Sequence, residues 1–175
     1  AELEHLLEQD PTILGERLLV IGRQLHTPYG KIIDLLAIDA DGNLHVLELK
    51  RDMTPRDVVA QILDYGSWAT ALSRAEVLEI AERHFEPQPF AVAFEDAFGQ
   101  PLPDEVNMSH FLTIVAAHLD PASERIVRYL ETFAVPINVA FFAYLADGGR
   151  RYLARSWLLD RDDAGTRMPR PKSKV

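Results

Sequence analysis

Lys31–Arg51 reads KIIDLLAIDADGNLHVLELKR, two apolar runs on either side of Asp41-Gly42. Asp-Gly between runs rich in Ile, Leu and Val is the signature of a β-hairpin bend. Three charged side chains, Asp34, Glu48 and Lys50, stand inside those runs. Burying a carboxylate is costly unless it is paired or holds a metal. These misplaced charges are the first functional lead in the chain.

Whether the charges meet depends on the turn. A two-residue Asp41-Gly42 turn sets Asp34 across from Leu49, and Asp34 and Glu48 then point to opposite faces, because side chains alternate along a strand. A three-residue loop, Ala40-Asp41-Gly42, is a type I turn closed by a residue in the left-handed region, where Gly is favoured. In that register Asp39 faces Asn43, Asp34 lies across from Glu48, and Lys50 shares their face. We adopt the three-residue loop, with strands at about 31–39 and 43–50; pairing of Asp34 with Leu49 would sink the clustered-carboxylate reading.

Working outward, residues 1–9 carry a Leu3, Leu6, Leu7 stripe and read as a helix, broken at Asp10-Pro11. Glu2, Glu4 and Glu8 flank the stripe, and Glu4, adjacent to both Leu3 and Leu7 around the helix, is the best placed to reach the hairpin. RLLVIGRQL over 17–25 reads as a strand. Thr54-Pro55-Arg56-Asp57 starts a helix to about Leu72, with Val59, Ile62, Leu63, Gly66 and Ala69 inward and Gln61 and Tyr65 one turn apart on a neighbouring face. A second helix is expected over 74–84, then a Pro-punctuated connector, 87–103, holding one short helix. A buried strand (111–118), an amphipathic helix (121–133), a second buried strand (137–145) and an edge strand (150–158) complete the chain.

The bulk properties bound the answer. A chain of 175 residues, 47% apolar and 26% charged, has the size and composition of one globular domain. It has no Cys, which removes disulfides, thiolate zinc sites and Cys nucleophiles and fits a cytoplasmic setting. No apolar run reaches the roughly 18 residues of a membrane span, so no membrane partner is expected. From Arg150 to Val175 there are 8 Lys/Arg and 3 Asp/Glu, a balance of +5 that leaves −14 on the rest of a chain of net charge −9. Such an acidic body argues against non-specific wrapping of nucleic acid. It is compatible with an acidic site that binds a divalent cation. The basic stretch 161–175 reads as a disordered tail. Ala1 already lies in a helical pattern, so the chain reads as a fragment of a longer protein.

Two carboxylates facing each other across adjacent strands suit Mg²⁺ or Mn²⁺, which take oxygen ligands and keep several waters. The backbone carbonyl of Leu49 is a candidate further ligand, and Lys50 is placed to hold or deprotonate an attacking water and to shield a phosphate. His45 should point away from Glu48 as a half-buried structural histidine. Neither H-E-x-x-H, G-x-S-x-G, a P-loop nor G-x-G-x-x-G occurs.

Glu-x-Lys alone is a common triplet. In its setting here, with IDLLAIDADGNLHVLELKR followed by QILDY, the sequence resembles the PD-(D/E)xK nuclease superfamily and, within it, the NucS (EndoMS) endonuclease-type catalytic domain, over about residues 1–72. The resemblance implies an α/β fold: a restriction-endonuclease-like mixed β-sheet flanked by helices, an α-β-β-β-α-β core with an extra helix and C-terminal strands, spanning residues 1–160. It implies Asp34 and Glu48 as metal ligands, Lys50 and Gln61 as catalytic, and Tyr65 with Arg51 as supporting or DNA-contacting. The family's first-helix acid corresponds to Glu2, to Glu4 or to a residue before Ala1, and Ile33 replaces the superfamily's Pro. The implied activity is metal-dependent hydrolysis of DNA phosphodiesters through a metal-activated water, with DNA as partner and a homodimer left open because the family's second module is absent. The alternative is a nucleic-acid-binding or assembly module that keeps the fold without cutting.

Overall fold

The computed structural model describes residues 2–50 and 57–160, the side chains of Glu2 and Arg151 excepted. In chain order the elements are α1 (Glu2–Gln9), a 3-10 turn (Pro11–Leu14), β1 (Leu18–His26), β2 (Ile32–Asp39), β3 (Leu44–Lys50), α2 (Asp57–Ala71), α3 (Arg74–Phe85), α4 (Phe90–Phe98), β4 (His110–Ala116), α5 (Pro121–Thr132), β5 (Ile137–Asp147) and β6 (Arg150–Trp157). The expected order holds, with the 3-10 turn added. That turn follows from Asp10, whose carboxylate accepts the Thr12 amide N–H, and from Pro11 at its first position. The start expected at Thr54-Pro55-Arg56, Arg51 and the 161–175 tail lie outside the described residues.

The six strands form one sheet in the order β1-β2-β3-β4-β5-β6. β1, β2 and β3 make an antiparallel meander, β3-β4-β5 are parallel, and β6 returns antiparallel at the edge. This is the mixed α/β sheet that the resemblance implies. The helices cover its faces unequally. Ile62, Tyr65 and Ala69 of α2, Val77 of α3, Phe90 and Phe94 of α4 and Val127 of α5 pack with Leu36, Ile38, Leu44 and Val46 on one face. On the other, Leu7 of α1 and Leu14 pack with Leu35, Ala37 and Leu47. Strand alternation makes this division from Leu35 onward: Leu36, Ile38, Leu44 and Val46 look toward α2, and Leu35, Ala37 and Leu47 look toward α1, while Ile33 before them packs on the α2 side.

The β2–β3 hairpin takes the three-residue loop. The Asp39 N–H donates to the Asn43 carbonyl at 3.1 Å, Leu35 pairs with Leu47, and Gly42 sits at φ 81. Asp39 holds the bend together: its carboxylate accepts from the backbone N–H of Asp41 and Asn43 and from the side chains of Asn43 and His45. Burial acts to raise the Asp39 pKa, yet these donors, chiefly His45, outweigh it and hold the carboxyl below its usual value. His45 points away from the Glu48 face as expected. It is fully rather than half buried, because its ring stacks on Phe111 of β4 at 4.8 Å.

α2 lies very close to the sheet at Gly66. A Cβ built there would stand 2.9 Å from both methyl carbons of Leu112 on β4. Gly66→Val should therefore destabilise the fold by about 1–3 kcal/mol through overpacking, read as a lowered Tm in thermal unfolding. An unchanged Tm would show that Leu112 can move aside.

Candidate metal and phosphodiester site

The β2–β3 ladder runs as far as Leu35 and Leu47, and in that register Asp34 stands opposite Glu48 on the α2 face. Beyond Leu47 the regular exchange of backbone hydrogen bonds gives way to a side chain: the Leu49 N–H donates to Asp34 Oδ2 at 2.8 Å. In an antiparallel pair the N–H and C=O of one residue face the same neighbour. The Leu49 carbonyl therefore lies on the same edge of β3 as the N–H that reaches Asp34.

Glu48 is 2% exposed, sunk between β2 and β4, where it registers with Ile114. One oxygen, Oε1, lies 2.7 Å from Lys50 Nζ. The other, Oε2, is buried without a hydrogen-bond partner among the described residues. An unsatisfied carboxylate oxygen at this depth is expensive, and the cost appears in its titration. The Glu48 carboxyl is pushed up to about 7, mainly by burial; the Lys50 hydrogen bond pulls the other way and the Asp34 charge adds to the rise.

α2 brings the next two residues. Gln61 Oε1 accepts from Lys50 Nζ at 3.2 Å, Gln61 Nε2 donates to Tyr65 Oη at 2.6 Å, and Tyr65 Oη donates to the Ile32 carbonyl at 2.6 Å. This relay runs from Lys50 across α2 back to the start of β2. Tyr65 is buried, and burial raises its pKa above the usual phenol value, so the hydroxyl remains available as a donor. Its aromatic body belongs to the core and only its oxygen to the relay, which joins its structural and supporting readings.

Glu4 lies beside the site but is engaged elsewhere. Its Oε1 accepts from Arg23 Nε at 3.1 Å and from Gln24 Nε2 at 3.2 Å, and Arg23 Nη1 also pairs with Glu8 Oε2 at 3.2 Å. Gln24 Nε2 reaches on to Asp34 Oδ1 at 2.9 Å. Gln24 and Arg23 were not singled out from sequence; the one signal was the polar Arg23-Gln24 pair interrupting the apolar RLLVIGRQL run. The structure thus brings Asp34, Glu48, Lys50, Gln61 and Tyr65 together and adds Gln24, while Arg51 falls outside the described residues.

The donor set fits a divalent cation. Two carboxylates lie together, one of their oxygens is buried with no hydrogen-bond partner among the described residues, and a positive charge between them would relieve their mutual repulsion. Among the described residues no group of three His, Cys, Asp or Glu side chains is arranged to hold a metal. The candidate oxygen donors on this face are therefore the two carboxylates and the Leu49 carbonyl.

No protein-family model matches the chain. Over 65 residues it is 35% identical to Endonuclease NucS of Pyrococcus abyssi, a match covering 37% of this chain and 26% of that protein. Over the same length it is 35% identical to Endonuclease NucS of Pyrococcus furiosus, covering 24% of that protein. The chain thus resembles the NucS endonucleases, and the match spans about a quarter of their length. Among solved structures, a repair endonuclease from Pyrococcus abyssi aligns with 74% of this chain and 43% of its own at a TM-score of 0.44 and 20% identity. An EndoMS–dsDNA complex aligns with 79% and 42% at a TM-score of 0.47 and 20% identity. No helix among the described residues is long and apolar enough to cross a membrane.

Proposed function

We propose that this chain is the catalytic part of a PD-(D/E)xK-type, metal-dependent endonuclease that hydrolyses DNA phosphodiester bonds. The observation that carries the reading is the orphaned, buried Oε2 of Glu48 on the same face as Asp34. A fold gains nothing in stability from such an atom, whereas a site for Mg²⁺ or Mn²⁺ needs it. The likeness to the NucS endonucleases over 65 residues supports DNA as the substrate class.

Asp34, Glu48 and the Leu49 carbonyl are the groups that would hold the cation. When bound, a divalent cation at such a site supplies Lewis-acid activation of water and offsets the charge of the phosphoryl transition state. Lys50, held between Glu48 and Gln61, is the cation that would meet an attacking water and a phosphate oxygen. Its work is to orient that water, take part in moving its proton and shield the phosphate. Gln61 fixes the position of Lys50, and Tyr65 fixes Gln61 through the Ile32 carbonyl.

The test is a calorimetric titration with Mn²⁺ at pH 8, paired with cleavage of single-stranded, duplex and branched DNA. Binding of Mn²⁺, with cleavage that stops in EDTA, is the expected result. Undiminished cleavage in EDTA would overturn the metal-dependent reading, and DNA binding with no Mn²⁺ uptake would mark a non-cutting module.

A further inference from the structure

One residue of the site is held in a conformation that its side-chain type does not favour. Gln24 lies within β1 at φ 48, in the left-handed region that Gly, Asn and Asp occupy far more readily than Gln. The register is continuous around it, with Arg23 opposite Leu35 and Leu25 opposite Ile33, so Gln24 stands opposite Asp34. The side-chain alternation breaks at this point, because Leu35 packs on the α1 side and Ile33, two residues before it, packs on the α2 side. The left-handed turn at this break also aims the side chain, whose Nε2 reaches Asp34 Oδ1 at 2.9 Å and Glu4 Oε1 at 3.2 Å. Both neighbours are carboxylate oxygens, acceptors only, so the amide nitrogen with its two hydrogens is the end that must face them.

We infer that Gln24 is a positioning residue for the cation site, a neutral bridge that fixes the Asp34 carboxylate and ties it to α1 through Glu4. The inference rests on the reading of Asp34 as a metal ligand. Asp34 is then gripped from both sides: Gln24 of β1 on Oδ1 and the Leu49 N–H of β3 on Oδ2. Two hydrogen bonds from opposite neighbouring strands fix the plane of the carboxylate and leave each oxygen a further lone pair. The choice of an amide is chemically pointed. Arg or Lys would bridge two acids more strongly, but its positive charge would repel a cation arriving at Asp34. The guanidinium of Arg23 is engaged with Glu4 and Glu8 on the far side, where it offsets the α1 acids and leaves Asp34 its charge.

Backbone strain separates this role from a structural one. Gln24→Gly removes the amide and also relieves the left-handed backbone. A purely structural Gln24 would show its loss as a lowered Tm with Mn²⁺ affinity unchanged. A positioning Gln24 makes it at least as stable as the parent without metal, yet poorer at binding Mn²⁺ by about ten- to a hundredfold, the usual effect of losing a group that orients a ligand. Gln24→Asn tolerates the same backbone but is one methylene short, and the same loss of affinity is expected.

The experiment is thermal unfolding of the metal-free proteins and calorimetric Mn²⁺ titration of parent, Gln24→Gly and Gln24→Asn at pH 8. An unchanged or raised Tm with weakened Mn²⁺ binding supports the inference, and if the Gly variant fails to fold, the Asn variant carries the comparison. Mn²⁺ affinity within twofold of the parent in a folded variant overturns it while leaving the proposed function intact. A parent that takes up no Mn²⁺ overturns both.

Discussion

Glu48→Gln is expected to make the metal-free chain more stable at pH 8 and to abolish Mn²⁺ binding and DNA cleavage together. The Glu48 carboxyl is raised from 4.5 to about 7, burial being the main cause. A carboxyl whose pKa is higher in the fold keeps its proton there between about pH 4.5 and 7 while the unfolded chain has lost it. The native state binds more protons across that window, so stability falls as pH rises through it and stays at the lower level above. At about 1.4 kcal/mol per pKa unit, the ionised side chain costs the fold about 3–4 kcal/mol. The glutamine has no such cost, but it forfeits the ion pair with Lys50, so a net gain of about 1–2 kcal/mol at pH 8 is expected. The check is Tm at pH 5 and at pH 8: the advantage of the variant should appear only at the higher pH. The same proton competes with the cation, so Mn²⁺ affinity of the parent should drop steadily below about pH 7. A Glu48→Gln variant less stable than the parent at pH 8 would mean that the ion pair with Lys50 outweighs the cost of burying the charge.

Lys50→Ala should lower single-turnover cleavage by about 10²–10³, the range found when one charged donor is taken from a reacting oxyanion. Part of that loss has a second origin. Lys50 is the group that holds the Glu48 pKa down, by hydrogen bond and by charge. Without it Glu48 should keep its proton to higher pH, and cation binding should need a more alkaline solution. Cleavage at saturating Mn²⁺, compared at pH 7 and pH 9, separates the two contributions. Recovery to the parent rate at pH 9 would mean that Lys50 acts only by ionising Glu48. A deficit persisting at pH 9 assigns it direct work on the water or phosphate. Lys50→Arg is not expected to rescue, because a planar guanidinium cannot reproduce a point charge held between Glu48 and Gln61.

The hairpin was legible because its information is local. Asp39, Asp41, Gly42 and Asn43 determine the turn among themselves, through the Asp39 carboxylate and the left-handed Gly42. Once the turn is counted, strand alternation carries Asp34 and Glu48 onto one face. Gln61 and Tyr65 were legible as a helical pair one turn apart, although only packing shows that the Tyr65 hydroxyl ends on the Ile32 carbonyl. What was not legible depends on partners far away in sequence. The full burial of His45 comes from Phe111, and the engagement of Glu4 with Arg23 rather than with the carboxylate pair comes from how α1 approaches β1. The backbone at Gln24 is a strained choice that no propensity favours. Sequence rules fail there because the conformation is supported by what the side chain reaches.

The spatial order of the strands is their order in the chain, and this divides the labour along the polypeptide. Every polar group of the site, from Glu4 to Tyr65, comes from one continuous N-terminal stretch. The dry environment around it is non-local, since Glu48 is sealed by β4 only after the chain has passed through three helices. A polar cluster assembled by short-range contacts is cheap in loop-closure entropy, whereas the low-dielectric wall depends on long-range docking. A lesion in the C-terminal half, such as overpacking at Leu112, would thus leave the ligand set complete and let water in, weakening the site without touching any residue in it.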